Sequence, residues 1–173
     1  MRALPILLFA ALAACKPPPT DADMRRDMPE AAPSFASDPL PSPESEGALW
    51  APSREVEGRL IYGQVGAAPL LALECLESEG SAPSLRITRY ADADVDATAL
   101  LALIGNGHIG RLPVEAREVG GRIRWQGEVL ASDLRWEPLA GPRRVTVTVP
   151  GAGMVTINPS GLTGDLVEQC RGS

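Results

Sequence analysis

Few side chains in this 173-residue sequence could do chemistry: one histidine, three cysteines, a run of aspartates and fifteen arginines beside a single lysine. His108 follows Gly105-Asn106-Gly107, residues that permit a tight turn and positive φ. An imidazole on such a loop could serve a hydrolase as general base. No Ser or Cys nucleophile motif accompanies it, and a solvated or structural loop histidine is the competing reading, so no catalytic residue is assigned. Asp92, Asp94 and Asp96 place three carboxylates at alternate positions, which suits a hard cation. Ala97 stands where a calcium loop needs its turn glycine, and Leu103 where the bidentate Glu belongs. The run therefore reads as a solvated turn, with Asp96 capping a following helix. Arg86, Arg111, Arg117, Arg122, Arg124 and Arg144 share the outward phase of predicted strands. Of these, Arg111, Arg117, Arg122 and Arg124 are the candidate anion-binding set, because guanidinium groups hold carboxylates or phosphates bidentately. Cross-strand pairing with Glu115, Glu118 and Glu128 is the alternative.

The N-terminus carries the most specific signal. Arg2 supplies a positive start, and Leu4 to Ala14 form an apolar stretch of signal-peptide length, too short to span a bilayer. It ends in Leu12-Ala13-Ala14-Cys15, which resembles the lipobox of bacterial lipoproteins. The resemblance implies that the Cys15 thiol receives a diacylglycerol, that residues 1–14 are removed, and that the new amino group is acylated as well. Several acyl chains anchor firmly where one is marginal. Lys16, rather than Asp, after the cysteine implies sorting to the outer membrane on the periplasmic side.

Residues 15–47 then read as a lipidated N-terminus followed by a spacer. Eight prolines, from Pro17-Pro18-Pro19 to Pro39, Pro41 and Pro43, alternate with Ser, Ala, Asp and Glu. That composition lacks the apolar surface to offset chain entropy and is expected to be disordered and partly extended; a recognition segment is the alternative. The formal charge of the whole chain is −6, which argues against a nucleic-acid partner.

With Cys15 assigned, Cys75 and Cys170 are an even pair in a chain expected to mature outside the cytoplasm, where a disulfide is favoured. The alternative is two buried free thiols. Two Cys and one distant His make no recognisable zinc spacing, and no cofactor is expected.

Residues 48–173 are expected to form one β-rich α+β domain, a small antiparallel sandwich or barrel of about seven strands with a C-terminal helix. Period-two alternation runs through Arg122 to Val129 and through Leu112, Val114 and Ala116, with Gly120-Gly121 as a hairpin link. Further hairpins join Val145–Val149 to Val155 and Ile157, and Leu71–Cys75 to Leu85 and Ile87, while Leu60 to Gln64 opens the sheet. Leu162, Leu166, Val167 and Cys170 share a helical face after Ser160 or Thr163 as cap. Ala97 to Ile104 reads as a helix, with a buried strand as alternative, and Asp133 to Leu139 as a single turn.

Over residues 60–172 the domain resembles small alphaproteobacterial envelope lipoproteins, through its early strand ending in Cys, Leu103-Ile104-Gly105-Asn106-Gly107-His108, the Pro150-Gly151-Ala152-Gly153 turn and the closing Cys170-Arg171. That family brings no activity with it. In architecture and cysteine placement the domain is also similar to lipoprotein inhibitors of lysozyme, without their Ser-Gly-x-x-Tyr loop. The expectation is a non-catalytic, lipid-anchored envelope module that contacts an envelope protein or peptidoglycan. The alternatives are an anion-binding or hydrolase-inhibiting module, and an envelope hydrolase centred on His108.

Overall fold

The structure, a computed structural model, describes residues 37–172. Residues 1–14, Cys15 and the spacer as far as residue 36 lie outside the described residues. The strands are β1 (Leu49–Pro52), β2 (Arg59–Gly63), β3 (Leu71–Leu76), β4 (Ser84–Asp92), β5 (Thr98–Gly105), β6 (His108–Val119), β7 (Arg122–Leu130), β8 (Val145–Thr148) and β9 (Met154–Ile157). A 3-10 turn (Leu134–Trp136) and the short helix α1 (Glu137–Ala140) separate β7 from β8, and helix α2 (Leu162–Gly172) ends the chain. The strands make one antiparallel sheet, ordered β1-β2-β3-β4-β7-β6-β5-β8-β9 and nearly closed into a barrel. The β-rich expectation with a C-terminal helix holds, with nine strands rather than about seven.

Alternation explains the wall. Leu85 and Ile87, Leu101 and Leu103, Leu112 and Val114, and Val145 and Val147 are all buried on the inner face, with intervening residues outward. Gly120 and Gly121 take φ of 61° and 75°, which lets β6 and β7 join through a two-residue turn.

Of the segment Ala97 to Ile104, all but Ala97 belongs to strand β5, which corrects the helical expectation in favour of its strand alternative. Intrinsic preference of Ala and Leu for helix is worth only tenths of a kcal/mol per residue. Pairing β5 with β6 on one side and β8 on the other outweighs it. Asp96 therefore caps no helix; it sits at φ 61° in the turn closed by the Ala97 N–H on the Asp94 carbonyl.

Residues 37–47, assigned by composition to the spacer, run along the domain instead. Leu40 N–H donates to the Gly151 carbonyl at 2.8 Å. Ser42 Oγ accepts from Met154 N–H at 3.0 Å and Ser45 Oγ from Thr156 N–H at 3.3 Å. Pro39, Pro41 and Pro43 have no N–H, so this strap cannot continue the ladder as a tenth strand, and serine hydroxyls take the β9 edge amides in its place. It crosses Gly153 closely enough that a methyl group there would overlap the Pro41 carbonyl.

The seam between β1 and β9 is tied by side chains. Tyr62 Oη donates to the Thr156 carbonyl at 2.8 Å and accepts from Asn158 N–H at 3.0 Å. Asn158 Nδ2 donates to the carbonyls of Ser45 and Ala48.

Helix α2 packs against α1, β1, β3 and β4. Ser160 Oγ accepts from Leu162 N–H at its start, and Leu166, Val167 and Cys170 are buried while Leu162 is exposed. Cys75 and Cys170 form a disulfide, their Cα atoms 5.7 Å apart. Among the described residues no helix is long and apolar enough to cross a membrane.

Candidate functional site

Strand phase puts the arginines outward as expected, and register decides what each one meets. Arg86 lies opposite Glu128 on β7, and its Nη2 is 2.9 Å from Glu128 Oε2. The Ser84 hydroxyl, more than Arg86, holds the Glu128 carboxyl below the usual carboxylate range against the opposing effect of burial. Arg117 pairs with Glu115. Arg122 and Arg124 share Asp92, at 2.8 and 2.6 Å. A register shift between Arg89 and Asp92 sets that carboxylate opposite Arg124.

Three of the four candidate anion-binding residues, Arg117, Arg122 and Arg124, are thus already ion-paired within the domain, the last two sharing the single charge of Asp92. Arg111 is not, and it stands apart from them. It faces Ala102 on β5, six positions along β6 from Arg117, or about 20 Å at strand rise. Arg111 and Arg144 form no ion pair among the described residues. The pairing partners expected from the sequence are Glu115, Glu118 and Glu128; Asp92 and Glu74 take part as well, and among the described residues no ion pair forms at Glu118.

The aspartate run does not converge. Asp92 serves the two arginines, and the Asp94 carboxylate accepts from both the hydroxyl and the N–H of Ser37, which hold it below its ordinary pKa. Among the described residues no group of three or more His, Cys, Asp or Glu side chains is arranged to hold a metal ion.

The Gly105 to His108 loop is built around Asn106 rather than His108. Asn106, at φ 52°, donates through Nδ2 to the carbonyls of Pro138 (2.8 Å) and Gly141 (3.0 Å) and accepts from Arg143 N–H through Oδ1. One side chain therefore pins the end of α1 to the β5–β6 turn. His108 itself is exposed, and its side chain makes no hydrogen bond among the described residues. Nothing in this geometry orients it as a base.

Arg89 is the residue that sequence reading passed over. It shares the inward phase of Leu85, Ile87 and Ala91, a signal available from alternation alone, and is only 3% exposed. Its guanidinium donates to the carbonyls of Leu70 (3.2 Å) and Ala152 (2.9 Å), with no carboxylate beside it, and Nε finds no acceptor. Burial, reinforced by the nearby Arg124 charge, pushes its pKa down to about 10. Its cross-strand neighbour Trp125 has an unpartnered indole N–H and lines a cavity of about 280 Å³ with Leu40, Ala93, Ala99, Asp94 and Pro150. The chain matches no known protein-family model, no curated protein and no solved structure.

Proposed function

We propose that this chain is a lipid-anchored protein of the bacterial cell envelope, acylated at Cys15, sorted to the outer membrane facing the periplasm, and acting there as a non-catalytic interaction module. The observation that carries the reading is the run Leu12-Ala13-Ala14-Cys15 behind a positive and apolar start. The Cys75–Cys170 disulfide supports it, because the two cysteines left after acylation are joined, as an oxidising compartment favours. The module reading draws on the same geometry: the exposed histidine is unoriented, and much of the outer charge is consumed in internal pairs.

The test is metabolic labelling with radioactive palmitate in a bacterial host, with and without globomycin, on the native chain and on Cys15→Ser. Label on the native chain, its loss in Cys15→Ser and accumulation of the uncut form under globomycin are expected. An unlabelled native chain, or label that persists in Cys15→Ser, overturns the reading.

A further inference from the structure

The outer wall of the barrel has two chemically different regions. On β4, β7 and the C-terminal half of β6, outward arginines are matched with carboxylates. On β5, β8, β9 and the N-terminal half of β6 the pattern changes. Ile104 lies opposite Ile109 on β6 and Thr146 on β8; Ala102 lies opposite Arg111 and Thr148; Leu100 lies opposite Pro113; Met154 lies opposite Thr148. These side chains point away from the core, which Leu101 and Leu103 enter from the same strand. Leu100 is 54% exposed, Ile104 47%, Ile109 57% and Met154 45%. No carboxylate falls within these rows. The nearest ones on the same strands and strap are Glu115, bound to Arg117, and Glu44 and Glu46, which share a groove with Arg144 without forming an ion pair.

We propose that this aliphatic and cationic face of β5, β6, β8 and β9 docks on an anionic lipid surface, with Leu100, Ile104, Ile109 and Met154 entering the headgroup boundary and Arg111 and Arg144 meeting lipid phosphates. The argument for that occupant is charge complementarity. Among the described residues Arg111 and Arg144 form no ion pair beside exposed aliphatics, whereas Arg86 and Arg117 each have a carboxylate and Arg122 and Arg124 share one. Exposed aliphatic side chains flanked by cations are what an interfacial segment presents to lipid. A second copy of the chain fits less well: an isologous contact through this face would set Arg111 against a row without carboxylates, the only ones near the face, Glu44 and Glu46, lying at its Arg144 margin. A protein partner is poorly served too, because the face has none of the Trp or Tyr anchors that concentrate binding energy at protein interfaces. Docking of this kind does not require acylation at Cys15, so it extends the proposed function without resting on it.

The test uses the full chain bearing Cys15→Ser, so that no acyl group contributes. Its sedimentation with vesicles of phosphatidylcholine is compared with that on equal parts phosphatidylcholine and phosphatidylglycerol. Binding should favour the anionic vesicles and weaken with salt. Arg111→Gln with Arg144→Gln should cut it about 25-fold, at about fivefold for each surface arginine. Ile104→Thr with Ile109→Thr, which keeps β-branching on exposed positions, should weaken binding on its own, whereas Arg122→Gln, on the paired region where Arg124 still holds Asp92, should leave it unchanged. Face variants that sediment like their parent, or equal binding to both vesicle types, overturn the proposal. So does a dimer in solution that the isoleucine variant dissolves, which would make the face an interface between copies. Palmitate labelling of the native chain reads out the anchor separately, so one claim can fail while the other stands.

Discussion

Removing the disulfide should cost this domain a large part of its stability, and the size follows from where the two cysteines lie. They are 95 residues apart in the chain and meet where α2 crosses β3. For a loop of that length the chain-entropy model assigns about 4–5 kcal/mol, acting through the unfolded state. Cys170 is fully buried, so the Cys75→Ala, Cys170→Ala variant adds a small void of about 1 kcal/mol. At roughly 3–4 °C per kcal/mol for a domain of this size, the midpoint should fall by about 15 °C. Thermal unfolding followed by circular dichroism, on the oxidised chain, the same chain with reductant and the double alanine variant, measures it. Both unbridged forms should melt well below the oxidised one, the alanine variant about 3–4 °C lower than the reduced chain because of its void. A drop under about 3 °C in both would refute the reasoning, since it would mean that the unfolded chain gains little freedom when the bridge is absent.

Two more consequences are open to measurement. Gly153→Ala adds a methyl under the Pro41 carbonyl at φ 66°; it should lift the strap and speed hydrogen exchange of the Met154 and Thr156 amides, and unchanged exchange would mean that the serines do not protect that edge. Asp133 is held at about 2 by the Arg135 guanidinium and then by the Arg135 N–H. Its folded pKa lies below the ordinary 3.8, so its contribution is complete above that value and vanishes as pH falls through about 2. Asp133→Asn should therefore cost about 1 kcal/mol near neutral pH, solvent screening having trimmed the full linkage value, and only a small fraction of that near pH 2. Urea titrations that show the same gap at both pH values would disprove this.

What was legible in the sequence was what is local. The β3–β4, β6–β7 and β8–β9 hairpins join alternating runs through short turns, and all three are present. β5 escaped because Leu100, Leu101, Leu103 and Ile104 are apolar on both faces, which erases alternation and leaves the helix preference of Ala and Leu as the strongest cue. The same two-sided apolarity is the exposed face proposed to meet lipid. β1 is short and contains Pro52, so its pattern never developed. The strap has the composition of the spacer that precedes it, and its contacts reach Met154 and Thr156, more than a hundred residues away. Among the site residues, outward phase was readable for the arginines, but Asp92 became the partner of two of them through a register shift in β4 that alternation does not encode.

The barrel closes without a ladder across its seam, and the two ends solve that problem in different ways. At the end covered by α2, closure is covalent: the disulfide fixes the helix to β3, and Arg171 ties it to the Ala131 carbonyl and to Glu137. At the other end closure is polar. Arg89 reaches through the interior to Leu70, before β3, and Ala152, in the β8–β9 turn, segments near opposite margins of the sheet. A buried guanidinium without a carboxylate is a costly tie, tolerable because the carbonyls it meets replace part of its lost hydration. Outside the wall, Ser37 on Asp94 and Leu40 on Gly151 add hydrogen bonds within reach of water. Hydrogen bonds of that kind open at low free-energy cost compared with a crosslinked helix packed on a core. The end held by Arg89 and the strap is therefore where this barrel should open first, while the disulfide end keeps its register.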